Sequence, residues 1–124
     1  MVNYDWSVVF YVEENGNEPV RKFLSSLDLK TQVRFDWSIE QLKIRNVTAR
    51  EPLVRHLEDK IWELREESST DIYRLLYFFF TGKQIVFVHG FVKKKQKTSR
   101  REIETALERM KDFTRRYTES KKRR

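Results

Sequence analysis

The sequence contains no cysteine, which excludes disulfides and thiolate-bound metal and fits a reducing compartment. No apolar run approaches the length needed to span a bilayer. The first ten residues, MVNYDWSVVF, lack the cationic flank and apolar stretch of a secretion signal. The expectation is a soluble, cytoplasmic protein with no membrane partner. There is no P-loop, no GxGxxG and no GxSxG, so nothing points to nucleotide cradling or a serine nucleophile. The two histidines come with no carboxylate cluster of metal-site spacing, and neither a metal nor a cofactor is expected. His56, at the start of a strand, reads as solvent-facing, and His89, inside an apolar run, as a satisfied structural histidine.

What the chain does have is aromatic bulk and an uneven charge. Nine Phe, five Tyr and three Trp in 124 residues supply enough buried surface for one domain with a modest core. Residues 1–117 read as that domain and 118–124 as a basic, disordered tail. Residues 1–92 hold 12 Lys/Arg against 14 Asp/Glu, a net of −2, whereas residues 93–124 hold 14 against 5, a net of +9. The basic excess sits in the last quarter of the chain and asks for an anionic partner, nucleic acid or a membrane surface.

Periodicity places the elements. WSVVFYV (Trp6 to Val12) reads as a strand, and Pro19 opens a short helix with Val20, Phe23, Leu24 and Leu27 on one face. Asp28 is placed to cap a second helix over residues 29–45, with Val33, Trp37 and Ile44 among its apolar positions. From Val54 the period shifts to that of strands: one ending in WELR, a second in IYRLLYFFF, a third in QIVFVHGFV, joined at hairpin spacing. Ile103, Ala106, Leu107, Met110, Phe113 and Tyr117 make the apolar stripe of a last helix, with Ser99 and Glu102 spaced as a capping box. The run Tyr77 to Phe80 reads as core. The order β-α-α-β-β-β-α predicts an α+β fold, a small, mainly antiparallel sheet with helices packed on it.

The segment FVKKKQKTSRREIE crowds six cations into the nine positions from Lys93 to Arg101. With Ser99 at the helix start, Arg100 and Arg101 fall in the first turn, where the backbone already presents positive charge and cations cost about 0.3–1 kcal/mol each. Convergence of cations there is what an anion site requires. Arg74 interrupts the apolar run and is expected on the open face of the sheet, since facing the core would be costly. Arg65 on the neighbouring strand projects the same way. Together with the Lys93–Lys97 loop these would form a concave cationic surface. The competing possibility is that each arginine is an ordinary ion pair with Glu63 or Asp71.

Three blocks in order, FYVEENGNEPVRKFLSSL, IWELREESSTDIYRLLYFF and QIVFVHGFVKKKQKTSRREIETALERMKDF, make the chain resemble the phage-derived HigB-like toxins of the RelE/ParE superfamily, the toxin halves of type II toxin–antitoxin systems. The resemblance runs from about Ser7 to Phe113. It implies the RelE-like fold and an enzyme: a ribosome-dependent mRNA endonuclease that needs no metal and uses the RNA's own 2′-hydroxyl as nucleophile. Carried onto this sequence, it implies that Arg74 and Lys94 stabilise the scissile phosphate, that Arg65 orients it, and that Lys93, Lys95 and Lys97 grip the RNA backbone. Arg100 and Arg101 join them as RNA-binding residues from their place at the helix end. The proton-transfer role is unassigned; a clustered lysine is one candidate base, and Tyr117 lies too far along the last helix.

The resemblance also implies partners: mRNA in the ribosomal A site, a helix-turn-helix antitoxin, operator DNA reached through that antitoxin, and oligomers formed with it. Fold does not decide activity on this scaffold. The alternative is a ParE-like toxin that inhibits DNA gyrase without cutting nucleic acid, and a third possibility is a decayed phage protein that binds nucleic acid only.

Overall fold

In a computed structural model, residues 5–93 and 97–123 are described. The elements are β1 (Ser7–Phe10), α1 (Pro19–Ser25), α2 (Leu29–Arg45) with a 3-10 turn (Asn46–Thr48), β2 (Val54–Glu58), β3 (Ile61–Glu67), β4 (Ile72–Phe80), β5 (Gln84–Lys93) and α3 (Arg100–Lys122). Among the described residues no helix is long and apolar enough to cross a membrane. The α+β reading holds, but the element order needs correction. The stretch after Val54 forms two strands, β2 and β3, so four strands rather than three follow the helices. The turn between them carries no Gly or Pro to mark it; Asp59 takes a left-handed φ of 52°, a conformation aspartate tolerates better than most residues.

The five strands lie in the order β1-β5-β4-β3-β2. β2–β3, β3–β4 and β4–β5 are antiparallel, while β1 lies parallel to β5, so the sheet is mixed. β4 is central and covered on both sides, which explains its nearly unbroken apolar sequence. Leu75 and Tyr77 face α1 and α2, packing with Val20, Phe35, Leu42, Leu64 and Phe87. Leu76 and Phe78 face α3, packing with Ile61, Val86, Val88, Ala106 and Met110. Tyr77 and Phe78 are core residues, as expected. A register shift after Leu76 opposes Leu76 to His89 but Tyr77 to Phe87. The extra residue, Val88, turns His89 and Phe91 onto the α3 face.

Gly90 lets α1 approach β5: a Cβ there would lie 2.4 Å from the Phe23 ring. α2 has the expected bounds, yet its buried positions are Thr31, Phe35, Ser38 and Leu42. Leu29, Val33, Trp37 and Ile44 are exposed. α3 buries the expected stripe through Ala106 and Met110, and it continues through Lys122, past Tyr117.

Candidate functional site

β3 and β4 set Arg65 directly opposite Arg74, and Phe91 of β5 opposes Arg74 from the other side. In an antiparallel ladder directly paired residues share a face. Arg65 and Arg74 therefore project to the same side of the sheet, the side on which α3 packs, at the end of the strands away from the β2–β3 turn.

The expected exposure of Arg74 is corrected by its surroundings. It is 0% exposed, beneath the segment that enters α3. Its Nη1 donates to Thr98 Oγ1 at 2.7 Å, and its Nε stands 3.6 Å from Glu63 Oε1. The Thr98 hydroxyl in turn donates to Glu63 Oε1. Glu63 is 2% exposed, and its other oxygen accepts from Arg65 Nη2 at 3.3 Å. Burial pulls the Arg74 guanidinium down from its ordinary value, opposed by the Glu63 carboxylate. Arg65 and Arg55 add to the downward pull. A buried cation held by a buried carboxylate and a hydroxyl is a fastener: it ties β3 and β4 to the start of α3. Arg65 remains the accessible member, with Glu63 on one side and Glu67 at 4.0 Å on the other.

The remaining predicted residues divide. Lys93 reaches Ser99 Oγ at 3.4 Å and Glu102 Oε2 at 4.0 Å. Lys94 and Lys95 lie outside the described residues. Lys97 and Arg101 are exposed and make no ion pair among the described residues. Arg100 is clasped by Glu58 of β2 and by Glu104 at 3.2 Å, which raises its already high pKa, the Glu58 hydrogen bond being the main cause. Arg65, Arg74, Lys93, Thr98 and Ser99 thus meet at one end of one sheet face, interleaved with Glu63 and Glu102, while Arg100 reaches back to Glu58 beside the β2–β3 turn.

The expected capping box does not form. Ser99 is the N-cap of α3 but makes no side-chain cap bond. Glu102 turns to His89 instead, whose Nε2 lies 2.9 Å from Glu102 Oε1. Arg109 Nη1 sits 3.2 Å from His89 Nδ1. An arginine N–H can only donate, so Nδ1 must be the bare nitrogen and Nε2–H donates to Glu102. Burial lowers the pKa of His89, with Glu102 acting against it. It is a neutral histidine with both nitrogens engaged, as the structural reading expects. Among the described residues no three His, Asp or Glu side chains gather as metal ligands.

Sequence reasoning missed Thr98 and treated Glu63 only as a surface partner. The one available signal was strand alternation, which puts Glu63 on the same side as Arg65. Nothing local tells that Thr98 closes over both. No curated protein matches the chain. Residues 22–111 match the family model described as Phage derived protein Gp49-like (DUF891), well over half the length, and the chain belongs to that family.

Proposed function

We propose that this protein is a toxin of the RelE superfamily, with its fold, and that it acts as a ribosome-dependent mRNA endonuclease. The observation that carries the reading is the meeting of Arg65, Arg74 and Lys93 with Thr98 and Ser99 at one end of a sheet face, where the chain enters α3. Membership of a phage-derived family supports it. In the reaction, the ribose 2′-oxygen attacks the adjacent phosphorus and the bond to the 5′-oxygen breaks, leaving a cyclic phosphate. The enzyme supplies no nucleophile. Its task is to stabilise the added negative charge of the transition state, which preorganised cations do best.

In this scheme Arg65 and Lys94 face the phosphate, while Lys93, Lys95, Lys97, Arg100 and Arg101 hold the flanking backbone. Arg74 acts as a positioning residue, holding Thr98 and through it the lysine-rich segment. A lysine of that segment accepts the 2′ proton, and the leaving 5′-oxygen takes a proton from water. The neutralising partner is a helix-turn-helix antitoxin, and operator DNA is reached through it.

The carboxylates among these cations favour one rival. Glu63, Glu58 and Glu102 each take up positive charge that a phosphodiester would otherwise use, which suits a ParE-like inhibitor of DNA gyrase. Brief expression followed by mapping of mRNA 5′ ends, with a supercoiling assay in parallel, separates the two. New 5′ ends that fall about 10²–10³-fold on Arg65→Ala or Lys94→Ala support the nuclease. Intact transcripts with blocked supercoiling reject it.

A further inference from the structure

α2 carries two apolar faces, and only one of them is used. Phe35 and Leu42 face the sheet and are 0% exposed. Leu29, Val33, Trp37 and Ile44, at spacings of four, four and seven, line the other side and are 75%, 57%, 63% and 43% exposed. Single exposed apolar residues are ordinary; four on one helical stripe form a patch of the kind that marks an interaction surface.

The charges beside the stripe indicate what covers it. At 100° per residue, Lys30, Arg34 and Arg45 fall along one edge and are all exposed. Arg34 is anchored there by a 2.8 Å hydrogen bond from Nη1 to the Glu67 carbonyl. On the opposite edge lies Asp36, while Glu40 falls within the stripe, between Leu29 and Val33, and is already paired with Lys43 at 3.5 Å. The balance of the strip is cationic. A second copy of the chain fits it poorly, since each copy carries +7. The strip is also small: a 17-residue helix is about 25 Å long, and at roughly 10 Å width it offers about 250 Å², against the ~800 Å² per partner of a stable interface. A single helix laid lengthwise needs no more than such a strip, as in helix-in-groove recognition.

We propose that the exposed stripe of α2 docks an amphipathic helix of another protein, with acidic side chains flanking its apolar positions. Its occupant would lie on the outer side of α2, across the sheet from Arg65 and Arg74, because Phe35 and Leu42 pack on Leu64 and Leu75 while α3 packs on Leu76 and Phe78. The inference stands independently of the RNA reading.

The test uses the full chain and two labelled 18-residue helical peptides, both with leucines at i, i+4, i+7 and i+11, one flanked by glutamate and one by lysine. Anisotropy should show the glutamate peptide binding at least tenfold tighter. Val33→Asp and Leu29→Asp should each weaken it tenfold or more with an unchanged circular dichroism spectrum, and Val12→Asp, at an exposed site just beyond β1, should leave it unaltered. Equal binding of the two peptides, no binding of either, or insensitivity to both stripe variants overturns the proposal. So does a parent that sediments as a dimer and a Val33→Asp variant that sediments as a monomer, which would make a second copy the occupant.

Discussion

The two faces of the sheet are filled by different means. Toward α1 and α2 the buried side chains are apolar from β2 to β5, with Leu64, Leu75, Tyr77, Ile85 and Phe87 meeting Val20, Phe35 and Leu42. Toward α3 the face is apolar at the end nearer the β2–β3 turn and along β5 as far as Phe91. At the other end Glu63, Arg65, Arg74 and Thr98 replace the hydrocarbon. Burying apolar area is non-directional and tolerates small errors of fit, whereas a buried ion pair stabilises only when its partners and geometry are complete. The first face therefore supplies adhesion, and the second specifies where the chain entering α3 must lie. A protein that has to hold a highly charged segment beside a sheet needs that second kind of contact, because the segment's own cations repel one another.

The contrast can be broken most severely at Glu63. Glu63→Ala leaves Arg74 buried without its carboxylate, and chemical denaturation should show a loss of about 3–5 kcal/mol. The double variant Glu63→Leu with Arg74→Met makes the two faces alike and should recover most of that stability, while the mRNA cleavage proposed above should not return. On the apolar face, Gly90→Ala forces a methyl into the Phe23 ring and should cost about 1–3 kcal/mol. A smaller effect is expected from acid. The hydrogen bond from Tyr11, with Arg116 and Arg115 close by, holds the Asp112 carboxyl at about 2. Because the folded value lies below the ordinary ~3.9, this contribution is fully present above about pH 4 and disappears as pH falls through about 2. Asp112→Asn should flatten the acid limb of a stability–pH curve in that window. The smallest change belongs to α2: Trp37→Ala, outside both faces, should shift stability by no more than about 0.5 kcal/mol.

Much of the fold was legible in the residues. The bounds of α2 and the stripe of α3 follow from periodicity, and the hairpin between β4 and β5 follows from Thr81–Gly82–Lys83, where Gly82 takes a φ of 80°. The β2–β3 turn was hidden because Asp59 and Lys60 bring no Gly or Pro, and a lone aspartate is a weak signal. In α2 periodicity located an apolar face without telling what it meets: Val33, Trp37 and Ile44 look like core, but Phe35 and Leu42 hold that place. Of the candidate site, strand alternation was enough to put Arg65 and Arg74 on one side of the sheet. It could not tell that Arg74 would be sealed beneath Thr98, since that contact joins residues 24 apart in the chain.

Taken alone, the sequence determined the local choices: which segments form helices and strands, which side of each strand a charge takes, and how strongly positive the end of the chain is. These depend on backbone sterics, alternation and composition, all of which act over a few residues. Only the tertiary structure decided which charges are buried and paired and which apolar stripe is left to solvent. Burial and pairing are set by what other elements bring against a residue, and the Glu63–Arg74–Thr98 knot exists only once β3, β4 and the approach to α3 have come together.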